Sequence, residues 1–423
     1  MFDSICLFED SNYSHLLPLV YFRPTYDLRC GILTLREKVE YFFPDIPISL
    51  HCRNYLADSV KEKNPNTAVN YINGSTCLLI NGRILISTEV ARELTNIDNN
   101  NTIFTKGDTV VAAKLSNANL TLIKSIMSNP LTFTDLVGCS IKELEVKIIN
   151  FPWDLISKNG EEIKNDFSIL TSRFGNNKIN GKIYDGVYLL NRNNIFIDEG
   201  TMIKPGVVLD AENGPIYIGK DAKIFPNAVI EGPAFIGNKS AIKIGAKIYE
   251  NTSIGEVCKV GGEVEGSIIH SYSNKQHDGF LGHSYLGMWV NLGADTNNSD
   301  LKNNYGNIKV IINGEKIDSE SMFVGLTIGD HSKSAINTMF NTGTVVGVSS
   351  NIYGAGFPKK YIPSFTWGGT DTMISYDLEK SIDVAKKVMA RRNIRLSDVE
   401  EKLFREVYKL TSDERTKFGV TNY

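Results

Sequence analysis

Residues 216–260, "IYIGKDAKIFPNAVIEGPAFIGNKSAIKIGAKIYENTSIGEVCKV", put an aliphatic side chain at every sixth position: Ile218, Ile224, Ile230, Ile236, Ile242, Ile248, Ile254 and Val260. Four residues after each of the first seven comes a small one: Ala222, Ala228, Ala234, Ser240, Ala246, Thr252 and Cys258. An amphipathic helix repeats at three and four residues, and a half-buried strand at two. A period of six fits neither. It fits a triangular coil of short strands with three hexads to a turn. The aliphatic residue fills the interior, the small one lets the chain bend at a corner, and glycine takes the strained turns.

The period extends both ways. Upstream, Ile197, Ile203 and Leu209 join it through a three-residue insertion at "ENGP" (212–215). Downstream the register returns at Phe280, Leu286 and Leu292, then at Ile328, Ser334, Phe340 and Val346. Val260 to Phe280 is two residues more than a full turn, so "SNKQHDG" (273–279) is expected to carry a small surface insertion. A longer break, 297–320, separates the last two runs. "GAGFPKKYIPSFTWGG" (354–369) reads as a cap on the coil. Beyond it Leu378, Ile382, Ala385, Val388 and Met389 share one helical face, and Ser397 with Glu400 forms a capping box for a second helix. These helices are expected to pack on the coil or on a neighbouring subunit. Arg391 and Arg392 either meet an anionic cofactor or simply favour a helix C-terminus.

The first 182 residues differ in kind. "SICLFED" (4–10) and "STCLLING" (75–82) are strand-like, while "SNANLTLIKSIM" (116–127) and "TDLVGCSIKELEVK" (134–147) are helix-like. The alternation predicts an α/β domain over 1–182, a left-handed parallel β-helix over 183–370 and a helical extension over 371–423. In "YFRPTYDLRCGILTLREKVEYF" (21–42), Arg23, Arg29 and Lys38 stand near a loop-to-helix start, where nucleotide and sugar phosphates are held. A solvated helix face explains Lys38 and Arg36 equally well.

Composition narrows the classes. The chain has 423 residues, 42% of them hydrophobic and 22% charged, with a net charge of -3, so nucleic acid and anionic membrane are not expected partners. Six scattered cysteines without a C-x-x-C pair suit free thiols in a reducing compartment. The opening "MFDSICLFEDSNYS" lacks a leader pattern and no long apolar run follows, so a cytoplasmic location is expected.

With these pieces in order, the coil resembles that of the hexapeptide-repeat acyltransferases. The whole chain resembles the bifunctional N-acetylglucosamine-1-phosphate uridyltransferase/glucosamine-1-phosphate acetyltransferases, closest to a divergent Bacteroidetes-type branch. The segments that carry this include "FRPTYDLRCGILTLREK", "FPWDL", "ENGPIYIG", "KVGGEVEGS", "SNKQHDGFLGHSYLG", "NLGADTNNSDLKNNYG" and "GFPKKYIPSFTWGG". The resemblance implies acetyl-CoA as co-substrate, a sugar phosphate and a nucleoside triphosphate as substrates, and a homotrimer. Aligned on "FLG…NLGADT", it puts the general base on His277, with His283 as runner-up, and substrate contacts on Lys243, Lys275, Asn304 and Tyr305. Ala294 falls on a cofactor contact, and Phe280 on a tyrosine that touches substrate. In the N-terminal half Arg83, a further candidate phosphate ligand beside Arg23, Arg29 and Lys38, stands where the family has a metal-binding aspartate, leaving Asp108 and Asp154 as candidate Mg²⁺ ligands.

Three functions compete for the coil. Acyl transfer is favoured. A zinc site of the γ-carbonic anhydrase kind is disfavoured, because His277 and His283 are one hexad apart and fall on different faces. A coil that only trimerises a nucleotidyltransferase is the rival, and an N-terminal domain that binds a nucleotide-sugar without making it is the converse.

Overall fold

The computed structural model describes residues 2–96, 99–127, 129–175 and 178–421. Its N-terminal domain is built on β1 (Ser4–Phe8), β2 (Ile48–Leu50), β3 (Thr76–Asn81), β5 (Thr102–Lys106), β6 (Thr109–Ser116) and β7 (Ser140–Glu143), with β4 (Ile84–Leu85) and β8 (Lys147–Ile148) forming a separate pair. The sheet order is β2-β1-β3-β6-β5-β7, parallel across β2, β1 and β3 and antiparallel at β6. Every residue of β1 is buried, because a strand covered on both faces needs a continuous apolar run. Helices α1 (Leu35–Phe42), α2 (Ala57–Lys63), α3 (Thr88–Thr95), α4 (Asn117–Ser125) and α5 (Pro152–Thr171) complete it. The helix expected over 134–147 is absent. Gly138 adopts a left-handed φ of 68° and Ser140–Glu143 pairs with β5 instead, so tertiary pairing overrides local pattern.

The coil has three faces. The first runs from Lys182–Ile183 to Asn274–Lys275, the second from Tyr188–Leu190 to Phe280–Gly282, and the third is nine strands from Ile195–Ile197 to Tyr361–Ile362. All neighbours on these sheets are parallel, and the hexad aliphatics Ile218 to Val260 are buried at 0–1% exposure, as are the small corner residues. This is the left-handed β-helix that the period predicts. Ile203 pairs with Ile224, Ile224 with Ile242, Ile242 with Val260 and Val260 with Lys275, so successive turns here hold 21, 18, 18 and 15 residues. The first is the "ENGP" insertion. The last overturns the expected insertion at 273–279: that turn is three residues short of a full one. In consequence Leu281, not Phe280, fills the interior opposite Val264, and Phe280 points outward. Lys275 takes an interior slot that holds an aliphatic residue in the turns before it. Glycine does not take all the strained turns either, since Val257, Tyr272, Trp289 and His331 sit at φ of 57–62°.

Helices α6 (Leu378–Ala390), α7 (Asp398–Leu410) and α8 (Ser412–Lys417) close the molecule. The Ser397–Glu400 capping box forms as the spacing predicts. The apolar faces pack chiefly on the N-terminal domain: Ile382, Ala385, Met389, Leu403 and Phe404 share a core with Leu56 and Val60, which Trp289, Val348 and Phe365 join from the coil with Tyr272 and Met288 packed against it. On the other side α5 lies along the third face, where Asn159 Nδ2 donates to Asn251 O at 2.8 Å and Ser253 Oγ donates to Gly31 O at 2.8 Å. A hairpin from the 297–320 break reaches back as well, with Asn313 Nδ2 donating to Ser14 O at 3.0 Å. Among the described residues no helix is long and apolar enough to cross a membrane.

Candidate functional site

The corner between the first and second faces gathers residues far apart in sequence. Lys275, 2% exposed, sends its ammonium from the interior to the carbonyls of Gly261 (3.1 Å) and His277 (2.8 Å). Burial pushes that ammonium down to about 8, against the pull of Asp278, Asp295 and Glu263. Gly262 (φ 70°) is needed there, because a Cβ would stand 2.8 Å from both the His277 carbonyl and Lys275 Nζ. A Cβ on Gly261 would meet that of Lys243 at 3.0 Å, and Asp295 N donates to Asp278 O at 3.1 Å, which brings Ala294 to the next turn of the column. Lys243, Lys275, His277 and Ala294 therefore share one edge. The His277 side chain is exposed on it.

Two arginines join from outside the coil. Just past α6, Arg392 donates to Asn274 Oδ1 at 3.0 Å. Lys259 titrates below the usual lysine range, chiefly because Arg392 repels its charge, with burial, Lys243 and Arg391 adding to it. Among the described residues none of Lys243, Lys259, Arg391 and Arg392 makes a salt bridge. Four like charges grouped without a salt bridge make this edge a candidate anion site. Lys259 went unnoticed in the sequence, though its place one residue before the interior Val260 puts it on the outer side of the first face.

At the other end of strand Phe280–Gly282 lies a different arrangement. His283 Nδ1 is 2.8 Å from Asp300 Oδ2, with Phe323 packed 4.9 Å from the imidazole. Asp300 opens the 297–320 segment and escaped the sequence reading, because only that segment's return path brings it over the corner. The carboxylate fixes the ring's orientation and leaves Nε2 as the working nitrogen. Phe280 belongs to this end, since a Cβ on Gly282 would lie 2.5 Å from its ring and 2.3 Å from Asp300 Oδ2. Asn304 and Tyr305 are brought to neither histidine. They form an exposed turn in which Asn304 Oδ1 accepts from Gly306 N at 3.1 Å and Tyr305 is 67% exposed.

In the N-terminal domain β1 is flanked by β2 and β3, so the crevice for a ligand lies past the ends of β1 and β3. Glu9 and Asp10 follow β1, and arginines already occupy both. Arg53 Nε binds Glu9 Oε2 at 3.0 Å, and Arg83 Nη2 binds Asp10 Oδ2 at 2.6 Å while Nη1 donates to Ile149 O at 2.9 Å. The predicted phosphate ligands are spent in the same way. Arg23 pairs with Asp330 and Arg29 with Glu256 (2.9 Å), tying this domain to the coil, and Lys38 is buried between Glu162 (2.8 Å) and Asp166. The metal candidates diverge too. Asp108 is exposed on the β5–β6 turn, and Asp154 caps α5 by accepting from Asn150 N (2.7 Å) and Phe151 N (3.0 Å). Among the described residues no three His, Cys, Asp or Glu side chains converge as metal ligands. The residues present do not fit a Mg²⁺ ion, because the acids at the strand ends are already neutralised by arginine.

Comparison with known proteins gives the following likenesses. Residues 5–174 match the family described as sugar nucleotidyl transferase. The bifunctional protein GlmU of Methanococcus aeolicus is 27% identical over 266 residues, 60% of this chain and 53% of that protein. A bifunctional sugar-1-phosphate nucleotidylyltransferase/acetyltransferase of Sulfurisphaera tokodaii is 28% identical over 232 residues, covering 53% of this chain and 51% of that one. The chain thus spans about half the length of these relatives. Among solved structures, a UDP-N-acetylglucosamine acyltransferase of Francisella novicida is 14% identical over 55% of this chain and 79% of that one, with a TM-score of 0.33. The chain is thus similar to sugar nucleotidyl transferases over residues 5–174 and to bifunctional GlmU proteins over about half of their length.

Proposed function

We propose that the coil transfers the acetyl group of acetyl-CoA to the amine of an amino-sugar phosphate, glucosamine-1-phosphate, at the corner of its first and second faces. The observation that carries this reading is the uncompensated cluster of Lys243, Lys259, Arg391 and Arg392 beside His277. Both substrates are phosphorylated, and four unpaired cations suit their phosphates. His277 takes the amine proton as the nitrogen attacks the thioester carbon, and the thiolate of CoA leaves. Lys275 acts on the histidine's backbone, holding its carbonyl. Ile244 (69% exposed) and Ile336 (67% exposed) are on the same edge, and their apolar surface favours a homotrimer in which a second copy completes the groove. A cytoplasmic protein with free access to these substrates is the matching setting.

The test is acetyl transfer to glucosamine-1-phosphate by His277→Ala, with the assembly followed by sedimentation. A loss of at least a hundredfold in an unchanged oligomer is expected; an undiminished rate removes the assignment. A second reading takes His283 as the base, favoured by the orienting Asp300 carboxylate, and His283→Ala then carries the loss.

The GlmU relatives support uridylyl transfer from UTP to N-acetylglucosamine-1-phosphate in the N-terminal domain, giving UDP-N-acetylglucosamine. The Glu9–Arg53 and Asp10–Arg83 pairs favour instead a domain that holds the nucleotide-sugar without making it. Pyrophosphate release from UTP and N-acetylglucosamine-1-phosphate, with and without Mg²⁺, separates the two.

A further inference from the structure

A cavity of about 380 Å³ lies where the N-terminal domain, the coil and the C-terminal helices meet, away from both histidine corners described above. Its size is at the low end of the range of about 300–1,000 Å³ for small-molecule sites, and a junction of domains is a common place for one. Rings line it. Tyr272 and Trp289 stack with centroids 4.4 Å apart at 17°, and Phe22 packs 4.7 Å from Phe404. Tyr272, Trp289 and His331 occupy successive turns of one coil corner, with φ of 57°, 62° and 61°. The same left-handed φ recurs along that corner at Asp221, Lys239, Val257, Ser349 and Phe365, so it belongs to the coil and sets the three rings one above another.

The polar groups are few and specific. His331 is 8% exposed, yet its Nδ1 has no hydrogen-bond partner. The Asp27 carboxylate also lines the cavity and makes no hydrogen bond among the described residues; only the backbone oxygen of Asp27 accepts, from His270 Nε2 at 2.9 Å. The cations are all spoken for: Arg23 by Asp330, Lys63 by Glu400 (3.2 Å) and Arg36 by Glu40 (2.6 Å). A phosphate would find no free positive charge here.

We propose that this cavity binds a neutral, flat nitrogen heterocycle carrying N–H donors, of the nucleobase class, with its ring among Phe22, Trp289 and Phe404 and its polar edge met by Asp27 and His331. A carboxylate accepts N–H, an imidazole Nδ1 donates or accepts, and aromatic rings stack on any base face. The site is independent of the two transfer reactions proposed above. Because the walls come from all three parts of the chain, an occupant binds only the assembled fold and raises its melting temperature.

The test titrates the full-length protein with adenosine and with uridine, reading tryptophan fluorescence, and repeats it with the 5′-monophosphates. At least one nucleoside is expected to quench saturably and to bind tighter than its monophosphate. The quench is lost in Trp289→Phe, and affinity falls at least tenfold in Asp27→Asn and in His331→Phe. No quench by either nucleoside, tighter binding of the monophosphates in a Trp289-dependent signal, or unchanged affinity in both polar variants overturns the proposal. The comparison of nucleoside with monophosphate uses the unaltered protein, so it decides even if a variant does not fold.

Discussion

Two groups of cations behave in opposite ways. At the coil's edge Lys243, Lys259, Arg391 and Arg392 make no salt bridge among the described residues, and Lys259 registers their repulsion. In the N-terminal domain Arg23, Arg29, Lys38, Arg53 and Arg83 are buried, and each is bound to a carboxylate. Repulsion left uncompensated on a surface is tolerable only in water and is relieved by an anionic ligand. A buried charge must be paired within the fold. The first group is the proposed binding surface and the second is architecture.

The largest effect should come from the open edge. Exchange of His277 for alanine removes the proposed general base, and acetyl transfer should fall by about 10²–10⁴-fold, with His283→Ala as the matched control. If the control alone loses activity, the base belongs to the oriented dyad and the open edge only binds. On the architectural side, Arg53→Met leaves Glu9, which is 0% exposed, without its partner. Breaking such a buried pair costs about 3–5 kcal/mol, read by urea unfolding. A cost near zero would mean that this pair is as dispensable as a surface one.

Lys275 links the two kinds. Its folded pKa of about 8 lies below the ordinary 10.5, so between those values the unfolded chain holds the extra proton. The cost of the buried ammonium is therefore present in full below pH 8 and is relieved as the pH rises towards 10.5. Relative to Lys275→Met, the wild type should gain about 3 kcal/mol across that window, and a flat difference would place the lysine in water. Smaller again, Arg391→Gln with Arg392→Gln should raise the KM for acetyl-CoA about tenfold with kcat nearly unchanged, as for lost uniform binding. An unchanged KM would remove these arginines from the anion site. The smallest effect belongs to Asp154→Ala, which removes a cap from α5 at a cost of about 1 kcal/mol, and any Mg²⁺ dependence of nucleotidyl transfer should be untouched.

Much of this was legible in one dimension, and the boundary is physical. The hexad fixes which side chains face inward because each strand is only two or three residues long, so local spacing and interior position are the same fact. The "ENGP" insertion, the Ser397 capping box and the separation of His277 from His283 follow from such short-range rules. The reading failed on the turn from Val260 to Lys275, which is three residues short between Val260 and Ile269 rather than two long at 273–279: Phe280 satisfied the apolar pattern, but its neighbour Leu281 was the one inside. A polar Lys275 in an aliphatic slot hid that register.

The sequence by itself determined the coil, its corners and the interior residues, because these depend on contacts one turn away. Only the tertiary structure decided which charges are free. Asp330, Glu256 and Asp166 reach Arg23, Arg29 and Lys38 from 307, 227 and 128 residues away. Arg392 comes to Asn274 from a helix 118 residues further on. A cation's role depends on whether a carboxylate arrives from elsewhere in the chain, and nothing in its local pattern records that arrival.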